Sequence, residues 1–311
     1  MQVNSDSNGI DLVLGADGFL GRNLAARLPT FGRKVLAIGR EAGDLSLWDN
    51  VAAAFRGLPP FARIFHVVTR QRTGAIQYKM QGELLAINAR IHLNVLEAWR
   101  QFQPQAKLVS TGSSCAYPES NEPQPETVFQ TGPLHPSVTG YGLAKQMLAV
   151  GAQVYAEQYG LRHLHCILAT MYGPWMHVQP DRSHFIGGML QRAREEKRAG
   201  KDRFTVWGDP STVRELLYVD DQIDAILAVD DAFENAMVNC AANIPVTIGE
   251  VAAAILDALE WRVPIYTPPE SCQGTSYKML DSSCFLEKTG WRPKVTLRDG
   301  LAKVLAADKT L

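Results

Sequence analysis

The sequence predicts an α/β fold, in which a doubly wound parallel sheet is followed by a smaller C-terminal α/β domain. In the first half of the chain, short apolar runs alternate with amphipathic segments, the pattern of parallel strands joined by crossover helices. A glycine-rich turn directly follows the first apolar run. Beyond Tyr172 the pattern changes to segments interrupted by Pro, Gly and Trp, which indicates a second domain.

The elements are predicted in chain order from the period of their apolar residues. Residues 118–136 are rich in Pro, Glu and Gln without apolar periodicity and are predicted to form a surface loop. The last predicted strand returns to the sheet after the second domain has begun. Strands are predicted at 10–14, 34–38, 63–68, 107–111, 163–169 and 237–241, and helices at 20–28, 48–56, 77–101 and 141–159.

Composition favours a folded protein that binds a small molecule. The 31 basic and 32 acidic side chains give a net charge of −1, without a long run of either sign, so nothing points to nucleic acid or to a membrane surface. No apolar stretch reaches the roughly 20 residues of a membrane helix, and the first residues lack a signal-peptide core. We therefore expect a cytoplasmic protein. The five cysteines stand singly, so we expect reduced thiols and no metal site.

A dinucleotide-binding motif lies between the first predicted strand and the first helix. Gly15, Gly18 and Gly21 permit a tight turn and a close approach of the backbone to a pyrophosphate. The N-terminus of the helix, with Phe19 and Leu20, offers free N–H groups and the positive end of its dipole. The alternative, a plain strand-to-helix turn, is disfavoured by the position of the motif after the first strand.

The end of the second strand favours NADP over NAD. An NAD enzyme places an acid there to bind the ribose 2′-hydroxyl, whereas this chain has Gly39 and Arg40. An arginine suits a 2′-phosphate. Two points remain in favour of NAD: Arg40 can equally be a solvated surface residue, and Glu41 is adjacent. We expect residues 1–171, with a return segment at about 215–243, to form an NADP-binding Rossmann domain. Residues 172–214 and 244–311 are predicted to form the substrate-binding domain.

Three residues have the spacing of a carbonyl-reducing site. Tyr141 and Lys145 share one face of a helix. A nearby ammonium is expected to lower the pKa of the phenol, which then acts as proton donor to a reduced ketone. Ser113, at the end of the fourth strand, can hydrogen-bond the substrate carbonyl.

With these motifs, and with Asn88 and Asn94 on the preceding helix, the sequence resembles the extended short-chain dehydrogenase/reductase family. Within it, the residues around Cys115 in Ser-Ser-Cys-Ala-Tyr-Pro, Met-Tyr-Gly-Pro at 171–174 and Val-Trp-Gly at 206–208 are similar to the GDP-L-fucose synthase family. That resemblance covers most of the chain.

The resemblance implies two reactions in one pocket: epimerisation of a GDP-linked 4-keto-6-deoxymannose at C3 and C5, then reduction of C4 by NADPH. Cys115 and His184 match the acid and base of the first reaction, and a thiol and an imidazole titrate close enough to neutrality for that role. Ser113, Tyr141 and Lys145 match the reductase triad. Arg192, Trp207 and Arg214 match the residues that bind the GDP portion, and a homodimer is expected.

Departures from the family pattern leave the sugar open. Arg70 and Arg72 stand where small residues are usual, Thr170 replaces an asparagine, and His177 is a second histidine near the site that can compete with His184. The alternatives are a single-function nucleotide-sugar reductase or 4-epimerase, in which Cys115 only packs, and the same chemistry on a GDP-linked colitose or heptose precursor. A non-catalytic NADP-sensing protein is the remote alternative.

Overall fold

The computed structural model describes residues 9–73, 75–179, 185–269 and 276–307. Strands and helices alternate through the first half, as the apolar periodicity predicts. The strands are β1 Ile10–Leu14, β2 Lys34–Ile38, β3 Phe61–His66, β4 Lys107–Ser113, β5 Arg162–Leu168, β6 Thr170–Tyr172, β7 Phe204–Thr205, β8 Val213–Tyr218, β9 Ala236–Cys240, β10 Pro245–Thr247 and β11 Ile265–Tyr266. The helices are α1 Phe19–Arg27, α2 Trp48–Phe55, α3 Ala75–Lys79, α4 Gln81–Phe102, α5 Thr139–Tyr159, α6 Phe185–Arg198, α7 Val219–Ala232, α8 Ile248–Ala258, α9 Ser283–Thr289 and α10 Leu297–Ala307.

Within the described part of the chain, six strands form a parallel sheet in the order β2-β1-β3-β4-β5-β9. Helices α1 and α7 cover one face, and α2, α4 and α5 cover the other, each over its own apolar core. The strand order reverses at β1, which has β2 on one side and β3 on the other. In open α/β sheets ligands bind beyond the carboxyl ends of the strands at such a switch point.

A third apolar core lies among β6, β8 and the helices α6, α8 and α10. Strand β8 pairs with β6 in parallel and with β10 in antiparallel orientation. Tyr172, at the end of β6, is buried in this core, where the second domain is predicted to begin. Phe285 and Trp291, however, pack in the core of the large sheet. The domain boundaries themselves stay a prediction.

Most predicted elements are present, with three differences. Strand β3 begins and ends two residues earlier than expected. The helix predicted at 77–101 is interrupted at Met80, whose backbone leaves the helical region between α3 and α4. The loop at 118–136 is not wholly a surface loop, because Gln124 is buried and exchanges backbone hydrogen bonds with Met279 and Asp281.

None of the helices in the described segments has the length and apolar character that a membrane span requires.

Candidate active site

A cavity of about 1420 Å³ runs along the carboxyl ends of the large sheet and continues to α6 and Trp207. It exceeds the 300–1,000 Å³ typical of a pocket for one drug-sized ligand, so it can hold a dinucleotide and a second ligand together. Eight predicted cofactor residues all line it: Gly15, Gly18, Phe19, Leu20, Gly21, Arg40, Tyr141 and Lys145.

The glycine turn fits a bound pyrophosphate. Gly15 has a φ of +101°, a left-handed conformation that side chains disfavour. A Cβ on Gly21 would overlap the carbonyl oxygen of Gly15, so only glycine lets α1 begin this close to β1. The free N–H groups at the start of α1 therefore lie at the cavity wall, where a diphosphate gains from them.

Two carboxylates and one guanidinium lie at the end of β2. Arg40 is exposed and lines the cavity. Its backbone N–H donates to Asp17 Oδ2 at 2.6 Å, and the N–H of Gly39 donates to Glu41 Oε1 at 2.7 Å. The sequence pattern indicates Arg40 and Glu41 at this position. It does not indicate Asp17, whose carboxylate reaches the end of β2 from the glycine turn and accepts from the Arg40 N–H.

Ser113, Tyr141 and Lys145 meet at the cavity floor as predicted. The phenol of Tyr141 lies near the hydroxyls of Ser113 and Thr69, which both act to lower its pKa. Lys145 Nζ donates to the carbonyl oxygen of Thr111 at 2.8 Å and lies 5.9 Å from the centre of the Tyr141 ring. Ser113, Tyr141 and Lys145 all line the same cavity, with the ammonium behind the phenol.

The expected effect of Lys145 on Tyr141 is not present in this structure. Burial, together with the nearby Cys115 sulfur, raises the pKa of Tyr141 above its ordinary value. Burial lowers the pKa of Lys145 to about 7, because a buried ammonium loses its hydration. Tyr141 therefore keeps its proton at neutral pH, which suits a group that must donate one.

Cys115 lies two residues after Ser113, in the short 3₁₀ turn Ser114–Ala116 that Ser113 caps. Its N–H donates to Ser113 Oγ at 3.2 Å. A Cβ on Gly142 would lie 2.6 Å from the carbonyl oxygen of Cys115, so this glycine permits α5 to bring Tyr141 next to the cysteine turn. Cys115 is half-buried and lines the cavity.

Two asparagines on α4, the buried Asn88 and the partly buried Asn94, hold the loops of the cavity. Asn88 accepts from the N–H of Arg70 at 2.7 Å and donates to the carbonyl oxygen of the same residue at 2.9 Å. Asn94 donates to the carbonyl oxygen of Leu45 at 3.0 Å. The loops that follow β3 and β2 are thereby fixed to α4.

The cavity wall also carries the residues that depart from the family pattern. Arg70, Arg72, Thr170 and His177 all line the wall. His184, predicted as a catalytic acid or base, lies outside the described residues, so its role stays a prediction.

The predicted nucleotide residues divide into two groups. Arg192 and Trp207 line the cavity, and the guanidinium lies 6.0 Å from the indole centre. Trp207 is 59% exposed, so its face can receive a flat base. Arg214 is not among the lining residues. It is partly buried on β8, and its charge acts on Cys115.

Lys278 is a cavity residue that the sequence did not reveal. Its Nζ lies 2.8 Å from Cys115 Sγ, although the two residues are 163 positions apart. No local motif marks it, because it follows a segment without apolar periodicity.

Comparison with known proteins identifies relatives that match most of the chain. A "Probable GDP-L-fucose synthase 1" of Oryza sativa subsp. japonica is 30% identical over 96% of this chain and 92% of its own length. A GDP-L-fucose synthase of Escherichia coli (strain K12) is 29% identical over 69% of this chain and 70% of its own length.

Solved structures match the fold. A GDP-L-fucose synthetase from Naegleria fowleri bound to NADP superposes with a TM-score of 0.87 at 21% identity, over 98% of this chain and 94% of that one. A GDP-6-OMe-4-keto-L-xylo-heptose reductase from C. jejuni gives 0.87 at 20% identity, over 98% of both chains. The Rossmann-type parallel sheet is thus confirmed.

The profile of the NAD dependent epimerase/dehydratase family matches residues 12–244. This match and the relatives confirm two predictions. The chain is a member of the extended short-chain dehydrogenase/reductase family, and it is an enzyme that depends on a nicotinamide dinucleotide. The chain belongs to the NAD dependent epimerase/dehydratase family.

Proposed function

We propose that this protein epimerises a GDP-linked 4-keto-6-deoxy sugar at C3 and C5 and then reduces C4 with NADPH. The observation that carries the proposal is the placement of Cys115 beside the Ser113–Tyr141 pair in one cavity wall. A reductase needs the hydroxyl, the phenol and the ammonium of Lys145. A thiol within the same pocket adds a group that can exchange protons with carbon.

The placement of Ser113 and Tyr141 in one cavity supports the reductive half. Ser113 and Tyr141 can both donate to the C4 carbonyl oxygen, which draws electron density from C4. The cofactor supplies the hydride when bound. Because its pKa is raised, Tyr141 holds the proton that the C4 oxygen then needs. Lys145, with a pKa of about 7, lies behind the phenol and can exchange a proton near neutrality.

The epimerising half uses the same carbonyl. Protons on the carbons beside it become acidic when the carbonyl oxygen receives hydrogen bonds from Ser113 and Tyr141. Inversion needs one group that removes a proton from one face of the ring and another that returns a proton to the opposite face. Cys115 is the first of these in the proposal, and His184 or His177 is the second.

The cofactor and nucleotide assignments belong to the same proposal. NADPH is proposed because Arg40 lines the cavity at the end of β2 and can pair with a 2′-phosphate. GDP is proposed because Arg192 can pair with the diphosphate and the exposed face of Trp207 can stack on the guanine. Arg214, partly buried beside Cys115, is proposed to act on the diphosphate end of the substrate through its charge.

The test is turnover of GDP-4-keto-6-deoxymannose with NADPH in deuterated water. The proposal expects NADPH oxidation together with deuterium at C3 and C5 of the product, read by mass spectrometry and NMR. A Cys115→Ser variant should keep reduction and lose deuterium entry, whereas Tyr141→Phe should lose reduction. Reduction without deuterium at either carbon would eliminate the epimerase half.

A second candidate is a single-function reductase of another GDP-linked 4-keto sugar, such as a heptose. Arg70, Arg72 and Thr170 favour it, because they place polar and bulky groups at the sugar end of the cavity. A structural neighbour is described as a GDP-6-OMe-4-keto-L-xylo-heptose reductase. Parallel assays with GDP-linked 4-keto heptose and 6-deoxyhexose distinguish the two by kcat/KM.

We also propose a homodimer formed through α4 and α5. Large apolar side chains are exposed on these two helices, which pack against each other. Sedimentation equilibrium tests the proposal. The parent should be dimeric, and a Leu143→Glu, Val154→Glu double variant should be monomeric. The exposed apolar side chains are Leu93, Leu143, Val150, Val154 and Tyr159.

The cytoplasm is the proposed compartment. Four described cysteines, Cys115, Cys166, Cys240 and Cys284, are free thiols, and thiols persist in a reducing compartment. Imaging of a fluorescent fusion protein tests the location.

A further inference from the structure

The Lys278 ammonium contacts the Cys115 sulfur in the wall of the cavity. Lys278 Nζ lies 2.8 Å from Cys115 Sγ. Both residues line the cavity and are accessible from it. The contact joins the turn after β4 to the segment that precedes α9, so it forms only when both halves of the chain have folded.

The backbone around Lys278 is held on two sides. The N–H of Lys278 donates to the carbonyl oxygen of Val213 at 3.1 Å, and the carbonyl oxygen of Met279 accepts from the N–H of Gln124 at 3.1 Å. Met279 and Leu280 are buried. The backbone position of Lys278 is therefore fixed by hydrogen bonds. From this position its ammonium contacts the Cys115 sulfur without any rearrangement of the backbone.

Among the described residues, four groups act on the sulfur or interact with it: the cations of Lys278 and Arg214, the hydroxyl of Ser113 and the phenol of Tyr141. Burial alone would raise the pKa of Cys115. The charge and the hydrogen bond of Lys278, the hydroxyl of Ser113 and the charge of Arg214 together outweigh burial, so the pKa of Cys115 lies below its ordinary value. Opposite charges within about 4–6 Å favour the ionised form in this way.

We propose that Lys278 is a positioning residue that holds Cys115 as a thiolate in the free enzyme and so makes Cys115 the proton-removing base of the epimerisation. This inference rests on the proposed function. The thiolate takes a proton from the carbon beside the C4 carbonyl, an S–H bond forms, and the C–H electron pair becomes the C=C bond of an enolate with its charge on the carbonyl oxygen. No oxidant or reductant is needed.

The pair also assigns an order to the two proton transfers. Before substrate binds, sulfur and ammonium together carry no net charge, so the thiolate is stable in a partly desolvated site. After it has accepted the proton, Cys115 is a neutral thiol and can no longer act as base. The proton that completes inversion must then come from a separate acid on the opposite face of the ring.

The experiment measures alkylation of Cys115 by iodoacetamide in the free enzyme between pH 5.5 and pH 10, followed at the Cys115 peptide by mass spectrometry. Only the thiolate reacts, so the rate reports ionisation. In Lys278→Met and Lys278→Gln, the midpoint should rise by about one to three pH units. Lys278→Arg should retain the low midpoint. Lys201→Met is the control, since Lys201 is exposed and does not line the cavity.

The outcomes separate this inference from the proposed function. The inference is wrong if both neutral variants melt like the parent and their alkylation midpoints equal that of the parent. A change in the KM for the substrate alone would then assign Lys278 to substrate binding. If one variant does not fold, the other and the arginine variant still decide. If the neutral variants have a raised midpoint but the parent enzyme incorporates no deuterium during turnover, the ion pair is kept and the epimerase is eliminated. If the parent incorporates deuterium but the variants have no raised midpoint, the epimerase is kept and the role of Lys278 is eliminated.

Discussion

His66 Nε2 lies 2.9 Å from His92 Nδ1, and both rings are fully buried between the large sheet and α4. They belong to a polar layer that continues across the neighbouring strands to Ser110 and His165, whose side chains lie 2.8 Å apart. Lys145 lies close enough to this layer for its charge to act on the histidines. Lys145, at the cavity floor, therefore lies beside a layer of buried histidines whose pKa values burial lowers.

Because of these histidines and the neighbouring His163, we expect the protein to lose stability in mild acid. Burial, with the charge of Lys145, lowers the pKa of His66 to about 3, and burial lowers that of His163, at the start of β5, to about 4. Unfolded histidine titrates near 6.5. Below pH 6.5 the unfolded state binds more protons, so the free energy of unfolding decreases as the pH falls towards 4.

Urea unfolding at pH 7.5 and at pH 5 measures this loss. In His163→Gln, the decrease between the two pH values should be smaller than in the parent by about 1–2 kcal/mol, because one titrating group is gone. His135→Gln is the control, since His135 lies partly exposed in a loop, beside Ser137. Equal decreases in the parent and in His163→Gln would contradict the prediction.

The parts of the site that local spacing encodes could be predicted from sequence. The glycine turn around Gly15 and the helical pair of Tyr141 and Lys145 depend on neighbours a few positions away, so their residue types reveal the geometry. Contacts between distant segments could not be predicted. Nothing near Lys278 indicates that its ammonium meets Cys115, and the pKa of Tyr141 depends on burial and on the direction of the Lys145 side chain, which bonds Thr111.

Cofactor choice is predicted to depend on the opposed charges at the end of β2. Arg40→Ala should weaken NADPH binding by about 10- to 100-fold, the range for loss of a charged hydrogen bond, and should change NADH binding little. Asp17→Asn should strengthen NADPH binding by a few-fold, because it removes a carboxylate beside the 2′ position and keeps the acceptor for the Arg40 N–H.

Isothermal titration of the parent and of both variants with each dinucleotide measures these affinities. The ratio of the NADPH and NADH dissociation constants is the quantity that matters, since a general folding defect would change both. If Arg40→Ala weakens both cofactors equally, Arg40 does not read the 2′-phosphate.

The close approach of α1 to β1 predicts a large difference between two glycine substitutions. In Gly21→Ala the new Cβ meets backbone atoms of Gly15 and Ala16 that cannot move aside, so the free energy of unfolding should fall by about 1–3 kcal/mol or more. Gly82, exposed on α4, has no atom within 4 Å of an added Cβ. Gly82→Ala should therefore raise stability by up to about 1 kcal/mol through helix propensity.

Thermal melts of the two variants give this comparison, and dinucleotide titration gives a second one. Gly21→Ala should also lose cofactor affinity, because the start of α1 is displaced from the diphosphate. A Gly21→Ala protein that melts and binds like the parent would show that the turn can open without cost.

Trp207 is predicted to bind the base of the substrate nucleotide. Its side chain is 59% exposed, so Trp207→Ala should alter stability by no more than about 0.5 kcal/mol. It should raise the KM for the GDP sugar by about 10-fold, because a stacked base contributes about 1–3 kcal/mol. Trp175 is 54% exposed but is not a lining residue of the cavity, which makes Trp175→Ala the matched control.

GDP should quench the fluorescence of the parent and of Trp175→Ala, and should leave that of Trp207→Ala nearly unchanged. Equal quenching in all three proteins would place the base elsewhere in the cavity.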